Sequence, residues 1–503
     1  MDFVILRYYL SPLKIVVRDI LFVVVAGLYL TLMIGQRLYP FIDLPNHLSE
    51  AVIYKDPAAF QGFYSVSERI SPNDFHYVFC SAFSNIETGN KIFYCVYVLL
   101  FLTIGYLIMK RWKGNLWFLF LLFLLLLNYN VTYGFVGFTL GIPIVMLIYY
   151  LLSDDHILAK VSVALLLVAL FYVHILCLLF ALFLTITTIL FERQRWETFL
   201  KKAWVMLPAF ALCVYWYLSA RAFETGESTP AFLVNYYMQE FIPNYIKRVK
   251  VFSYDNYSLS SGNLGLTIGL FFSAVILFPV LLWCLKRLTW ASLKANFADQ
   301  RQLLSLVFVS VVCCFFLPDR LPGQPVLHQR FSVFLMLSLI LVGSVLYRGS
   351  QSKWLPVLFV SLAIGHFLLW CDYFIKFDRT NTQFTREAFA VIPRNEPLGG
   401  LIVDPDFRGR PVYVHFPSYR IVWDKGIAAT CLIDYRFGSI RREVPISILP
   451  EYQEWAGSTL HAVPKEYKNL KYILTKGELT KFPPNSSVIA NFETWRIIRK
   501  EEL

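Results

Sequence analysis

Charged residues are scarce in this chain. Only 16% of its 503 residues are Asp, Glu, Lys or Arg, whereas 57% are hydrophobic and 17% are aromatic, and the mean hydropathy is +0.55. A soluble protein of this size does not need so much apolar surface, so the composition indicates a membrane protein with several spans. In such a protein the net charge of +12 is interpreted from the loops that carry the Lys and Arg residues. No nucleic-acid partner is predicted.

Cysteine motifs of the metal-binding kind are also missing. The nine cysteines form no Cys-x-x-Cys pair and show no Cys/His spacing typical of a zinc site. The chain shows no internal repeat and no low-complexity linker. The first apolar run, residues 20–36, is about as long as a span requires, and no small-x-small cleavage site follows it. We therefore expect this run to be a retained transmembrane helix.

Eleven apolar segments are candidates for membrane spans. They lie near residues 19–38, 92–109, 115–132, 134–152, 158–173, 174–191, 203–220, 264–285, 303–318, 331–347 and 354–372. Two long uncharged runs are divided at their polar residues, one at residues 128–134 and the other at His174. Lys and Arg concentrate in every second loop, which predicts a cytoplasmic N-terminus and an external C-terminus.

The composition changes after residue 375, where charged residues, Pro and Gly become more common. Short apolar stretches near residues 400–403, 411–414 and 471–474 are typical of strands. The sequence predicts a transmembrane module over residues 1–375, with a long first external loop at 39–91, and an extracytoplasmic α/β domain over 376–503. In that domain Tyr413, His415, Tyr419 and Trp423 are interpreted as packing residues, with sugar stacking as the alternative.

The ionisable residues near the spans share one predicted side of the membrane. Asp43 follows the first span, and His47 and Glu50 lie on one helical face if Pro45 opens a helix. The same predicted side also carries Asp74, His76, His174, Asp319, Arg320, His328 and Arg330. Because ionisable groups at membrane depth are costly and usually face a cavity or a partner, these residues predict one polar site at the external interface.

Two complementary roles follow from these residue types. Arg320, His328, Arg330 and His174 are candidates for holding the phosphate of a lipid donor, since Arg binds phosphate oxygens bidentately. Asp43 is the candidate general base with His47 beside it, and Glu50, Asp74 and His76 are candidates for a second acid or for acceptor binding. Structural alternatives stay open, namely helix capping for Asp43, headgroup anchoring for the arginines and a hydrogen-bonded core role for His174.

This arrangement resembles the GT-C superfamily of polytopic glycosyltransferases. The resemblance rests on Asp43 in the run Pro-Phe-Ile-Asp-Leu-Pro-Asn-His, a long first external loop, about 11 spans, an external C-terminal domain, and the Gly-rich residues 134–143 with His174. It implies transfer of a sugar from a polyprenyl-phosphate donor to a glycan, lipid or protein acceptor, with Asp43 as base, on the outer face of a bacterial inner membrane. Many GT-C families carry adjacent acidic residues here, whereas Leu44 follows Asp43, which leaves open whether a divalent metal ion takes part.

Two other functions remain open on the sequence. Another outer-face transferase, such as an O-antigen ligase or polymerase, also uses Arg and His with a lipid diphosphate, although the early Asp43 and the tail domain suit GT-C better. A transporter of lipid-linked substrates would break no bond. Transporters often show paired repeats and broken helices at the midplane, whereas this chain shows no repeat and its polar residues lie at one interface.

Overall fold

The computed structural model describes residues 17–67, 70–191, 202–220, 237, 248, 263–287, 301–319, 326–348, 350, 352–429, 439–443, 470–478 and 485–501. Among the predicted site residues, Arg320 lies outside the described residues. Most of the described chain is helical, and a small sheet region lies toward the C-terminus.

Helices succeed one another through the first three quarters of the chain. They are α1 Val17–Gly35, α2 Leu44–Lys55, α3 Phe75–Ser81, α4 Ile86–Arg111, α5 Leu119–Leu122, α6 Tyr129–Tyr133, α7 Val136–Leu151, α8 Ile157–Val173, α9 Ile175–Phe191, α10 Leu207–Ala220, α11 Asn263–Arg287, α12 Arg301–Phe316, α13 Ser332–Leu346 and α14 Trp354–Thr380. Helices of the 3-10 type flank α5 at Leu116–Phe118 and Phe123–Leu125, and another, His328–Phe331, leads into α13.

Five helical segments of the described chain are long and apolar enough to cross a membrane, which indicates a membrane protein. They are Val17–Gly35, Ile86–Arg111, Leu116–Tyr133, His328–Leu346 and Trp354–Thr380. Six further apolar helices of 10–17 residues are Val136–Leu151, Ile157–Val173, Ile175–Phe191, Trp204–Leu218, Thr267–Leu281 and Gln302–Phe316. A full crossing requires about 20 residues, so the count of 11 spans stays a prediction.

Both helix breaks predicted within uncharged runs are present. The side-chain oxygen of Asn128 accepts a hydrogen bond from the backbone N–H of Asn130 at 2.9 Å, which caps α6. Gly134 ends α6 in the left-handed conformation, with φ of +86°. At the second break, α8 ends at Val173, and His174 has an extended backbone before α9 begins. Each break places backbone and side-chain polar groups between apolar helices.

The loop between α1 and α4, which we call the first loop, is rich in secondary structure. It contains α2, the 3-10 helix Pro57–Phe60, strand β1 Tyr64–Val66 and α3. The loop is shorter than the predicted residues 39–91, because α4 begins at Ile86. Asn85 caps this helix by accepting from the backbone N–H of Thr88 at 3.0 Å, so the helix extends beyond its apolar part.

The C-terminal region is built on a mixed sheet. The remaining strands are β2 Pro397–Ile402, β3 Ile427–Ala428, β4 Ile440–Arg442, β5 Tyr472–Lys476, β6 Ser486–Phe492 and β7 Trp495–Lys500, and the helix α15 spans Tyr419–Asp424. The five-stranded sheet has the order β3-β2-β5-β7-β6. Strand β2 is parallel to β3 and β5, whereas β7 is antiparallel to β5 and β6. Residues 411–414, predicted as a strand, form turns instead, so the chain leaves the sheet there.

This region lies directly on the first loop, between α1 and α4. Strand β4 pairs antiparallel with β1 of that loop, with Arg442 opposite Tyr64. The indole N–H of Trp423 donates to the Glu87 carboxylate at 3.1 Å, near the start of α4. The rings of Tyr419 and Trp423 stack with their centroids 4.5 Å apart, so these aromatics pack within the protein as the sequence predicted. The sheet region therefore packs on the same loop that carries Asp43.

Candidate functional site

Residues 128–135, which we call the 128–135 break, hold two predicted site residues close together. The backbone N–H of Asp43 donates to the carbonyl of Tyr133 at 2.9 Å. The side-chain amide of Asn130 donates to the carbonyl of Arg330 at 3.0 Å, and the Arg330 guanidinium carbon lies 3.6 Å from the centre of the Phe135 ring. The backbone of Asp43 in the first loop and the guanidinium of Arg330, in the segment before α13, thus both contact this break.

Asp43 stands at the N-terminus of α2, but its side chain makes no capping hydrogen bond to that helix. The residue is 8% exposed, and its Oδ1 lies 3.5 Å from Nε2 of His415, which is 3% exposed. The carboxylate therefore faces a histidine of the C-terminal region. Capping by the carboxylate, the structural alternative for Asp43, does not describe this geometry.

Arg330 and His174, both predicted to hold a phosphate, lie side by side. Nη1 of Arg330 is 3.4 Å from Nε2 of His174, and Nε of Arg330 donates to the carbonyl of Val326 at 3.3 Å. Nδ1 of His174 accepts from the backbone N–H of Leu176 at 3.2 Å, in the first turn of α9. A neutral imidazole has one acceptor nitrogen, so with Nδ1 accepting, its Nε2 carries a proton. Two N–H donors then face each other, an arrangement that a shared anionic oxygen would satisfy.

The break at His174 is held in place by the first loop. The side-chain oxygen of Asn73 accepts from the backbone N–H of Ile175 at 2.8 Å, and the backbone N–H of Asn73 donates to the carbonyl of Phe171 at 3.3 Å. On the other side, a Cβ at Gly137 would lie 2.4 Å from the carbonyl oxygen of Val173. The absence of a side chain at Gly137 therefore lets α7 approach the backbone beside His174.

The other predicted site residues of the first loop, His47, Glu50, Asp74 and His76, form a second group. His47 Nδ1 is 3.0 Å from Oε2 of Glu50, as their spacing on one helical face predicted. The ring of His47 packs edge-on against His76 at 5.7 Å, and His76 Nε2 contacts the Asn90 side-chain oxygen at 3.1 Å. Asp74 accepts a hydrogen bond from the hydroxyl of Ser439 in the C-terminal region. This group lies between α2, α3 and the residue that precedes β4.

Asp74 has an unusually high affinity for its proton. Burial raises the pKa of Asp74 to about 6, and the neighbouring Glu50 carboxylate acts in the same direction, against hydrogen bonds from Ser439, Tyr77 and Ser71. The folded-state pKa exceeds that of an unfolded Asp, near 3.9. The folded protein therefore loses stability as the pH rises from about 4 through about 6.

We expect Asp74→Asn to raise the thermal unfolding midpoint at pH 8 and to leave it nearly unchanged at pH 4.5. The amide stays neutral and can still accept from Ser439, so it removes an ionisation cost of up to about 3 kcal/mol at pH 8. Thermal unfolding of the detergent-purified protein at both pH values measures this. Asp56→Asn is the control with the opposite sign, since Lys425 lowers the pKa of Asp56. An equal shift of the Asp74→Asn midpoint at both pH values would contradict the prediction.

His328 lies in a neighbouring polar group. Its Nδ1 is 2.9 Å from Oδ1 of Asp319, and the same oxygen is 3.2 Å from Nη2 of Arg248. His328 and Arg330 are two residues apart in the 3-10 helix His328–Phe331, which has three residues per turn, so their side chains leave the axis in different directions. The structure thus brings Arg330 together with His174 and places His328 with Asp319.

Two residues of the C-terminal region reach this site although the sequence does not predict them there. His415 faces Asp43, and Nη2 of Arg410 donates to the hydroxyl of Thr132 at 2.6 Å, within the 128–135 break. Neither contact has a local sequence signal, because each joins residues more than 250 positions apart. The one local feature of the sequence that points to this site is the lone His415 within an apolar run. The sequence alone favours a packing role for it.

The sequence leaves open whether a divalent metal ion binds at this site. Among the described residues, no three His, Cys, Asp or Glu side chains are grouped in a way that could hold one.

No known protein-family model matches the chain, and no curated protein matches it. Any function assigned to this chain therefore depends on the chemistry of the site.

Proposed function

We propose that this protein is a membrane glycosyltransferase that moves a sugar from a polyprenyl-phosphate donor to an acceptor hydroxyl of a glycan, lipid or protein. The observation that supports this most is the 128–135 break, which binds the backbone of Asp43 at Tyr133 and carries the Arg330 guanidinium, beside His174, over the ring of Phe135. A base and an anion-binding pair on one short support suit a reaction in which a hydroxyl attacks a sugar phosphate.

The donor phosphate would bind at Arg330 and His174. Their N–H groups converge, and both residues are at most 8% exposed, so water screens the guanidinium charge only weakly. Phosphate oxygens accept from such donors, and the guanidinium stabilises the negative charge that grows on the leaving phosphate. The polyprenyl chain would lie among the apolar helices, where exposed Leu and Ile side chains on α8 and α9 suit contact with hydrocarbon.

The acceptor hydroxyl would bind beside Asp43. The carboxylate takes the hydroxyl proton as the acceptor oxygen forms its bond to the anomeric carbon, and the bond from that carbon to the phosphate oxygen breaks. The electron pair of the broken bond leaves on the lipid phosphate. In the resemblance to GT-C enzymes this transfer inverts the anomeric configuration, and the reaction takes place on the outer face of a bacterial inner membrane.

We expect Arg330→Ala to weaken the binding of farnesyl phosphate, a short polyprenyl phosphate, by about 10–100-fold. Loss of the guanidinium removes a charge-assisted hydrogen bond, and Arg330→Lys should fall between the two because it keeps the charge without the planar donor fork. Titration of the purified protein in detergent measures the affinity, with farnesol as the ligand that lacks the phosphate. Arg408→Ala is the matched control, since Arg408 also lies over aromatic rings but pairs with Asp372 at 2.9 Å.

The same titration separates the proposal from its alternatives. Equal affinity of wild type and Arg330→Ala for farnesyl phosphate would refute the donor assignment. Strong preference for farnesyl diphosphate, with release of a lipid diphosphate during turnover, would favour a ligase or polymerase. Movement of an intact lipid-linked sugar across reconstituted vesicles, with no lipid phosphate released, would favour a transporter.

A further inference from the structure

The loop between β2 and α15, residues 403–418, reaches both elements that hold Asp43. Arg410 donates to Thr132 at 2.6 Å, in the 128–135 break. The hydroxyl of Ser418 donates to the side-chain oxygen of Asn46 at 2.7 Å, in the first turn of α2. His415 lies between these two contacts in the chain, with its Nε2 3.5 Å from the Asp43 carboxylate.

This loop is firmly supported around His415. The ring of Phe416 stacks on Trp495 of β7, with centroids 5.3 Å apart and planes at 10°. Tyr413 accepts from the side-chain amide of Asn381 at 3.1 Å, and its ring lies 4.1 Å from the Lys476 ammonium. Packing of these neighbours restricts the backbone that carries His415, as a positioning side chain requires.

We infer that His415 is the positioning residue for the Asp43 carboxylate, and that the C-terminal region thereby completes the transfer site. An imidazole beside a carboxylate orients it, and a protonated imidazole also keeps the carboxylate ionised. Asp43 must be ionised to take the proton of the acceptor hydroxyl. The role in catalysis rests on the proposed function, whereas the pairing of His415 with Asp43 can be tested without any substrate.

The pairing is tested by following the histidine side chains in the full-length protein. The chain has eight histidines, and the His415 signal in a ¹³C-histidine-labelled sample is identified by its loss in His415→Gln. We expect the titration midpoint of His415 to fall by about one pH unit in Asp43→Asn, because a carboxylate within about 4–6 Å favours the imidazolium. The signal of His156, exposed at the start of α8, serves as the internal reference.

The role is tested with His415→Gln and His415→Ala, in the same preparations used for farnesyl phosphate binding. We expect both variants to bind farnesyl phosphate as the wild type does. We expect His415→Ala to lower the turnover number by about 10-fold or more, with partial rescue in His415→Gln, which keeps an N–H donor.

The outcomes separate the inference from the proposed function. An unmoved His415 titration together with unchanged turnover in His415→Ala would overturn the inference. A shifted His415 titration in a protein that binds no farnesyl phosphate would refute the proposed function and would still support the pairing of His415 with Asp43.

Discussion

Asp43→Asn is expected to lower the rate of sugar transfer by about 10²–10⁴-fold while leaving farnesyl phosphate binding at its wild-type value. Asn has nearly the same shape as Asp and keeps the backbone hydrogen bond from residue 43 to the carbonyl of Tyr133. It can still contact His415, but it cannot take a proton from the acceptor hydroxyl. The loss should therefore appear in the turnover number and not in donor affinity.

The measurement is release of lipid phosphate from a panel of polyprenyl-phosphate sugars, with membrane extract as the source of acceptors. Asp56→Asn is the control, because Asp56 is a partly exposed acid of the same loop that pairs with Lys425 away from the break. Unfolding midpoints for both variants show whether the fold is intact. Wild-type turnover by Asp43→Asn would refute the assignment of Asp43 as base.

Gly134→Ala should destabilise the protein by about 2–5 kcal/mol and lower transfer, because two costs combine at this position. Gly134 has a φ of +86°, which costs about 1–2 kcal/mol for a residue with a side chain. A Cβ there would also lie 2.8 Å from the backbone nitrogens of both Asp43 and Leu44. The contact is with backbone, so it is relieved only by moving the chain that carries the proposed base.

The chain supplies two controls that separate these costs. Gly62 has the same φ of +86°, but a methyl group added there would meet open space, so Gly62→Ala reports the backbone strain alone. Gly35 has neither a positive φ nor a neighbour within 4 Å, so Gly35→Ala should be nearly neutral. Unfolding midpoints and transfer rates are compared for the three variants. Equal loss of stability in Gly134→Ala and Gly62→Ala would show that the contact with Asp43 contributes nothing.

Much of the helical layout follows from the sequence. The apolar runs and their polar interruptions predicted the ends of α7, α8 and α9 to within a few residues, including the breaks at Gly134 and His174. The reason is local: a helix in an apolar setting continues until backbone groups find other partners, and Asn, Gly and His supply them. Helix length was less predictable where a capped polar turn extends an apolar helix, as at Ile86.

Part of the candidate site is also visible in the sequence. Asp43, His174 and Arg330 are predicted on the same side of the membrane, and their side-chain chemistry suggests a base and an anion-binding group. Their grouping was not visible. Arg330 joins His174 while His328 joins Asp319, because side-chain direction within a 3-10 helix depends on a helix type that composition does not reveal. The contact of His47 with Glu50, by contrast, follows from their spacing on one helical face.

The sequence by itself determined that this is a membrane protein, where its helices break, and which residues are chemically able to act. Those properties depend on composition and on neighbours along the chain. Only the tertiary structure decided that the loop after β2 brings His415 to Asp43 and Arg410 to Thr132. Such contacts depend on how a distant sheet docks on the first loop, through β1–β4 pairing and the Ser418–Asn46 hydrogen bond, and no local pattern encodes that docking.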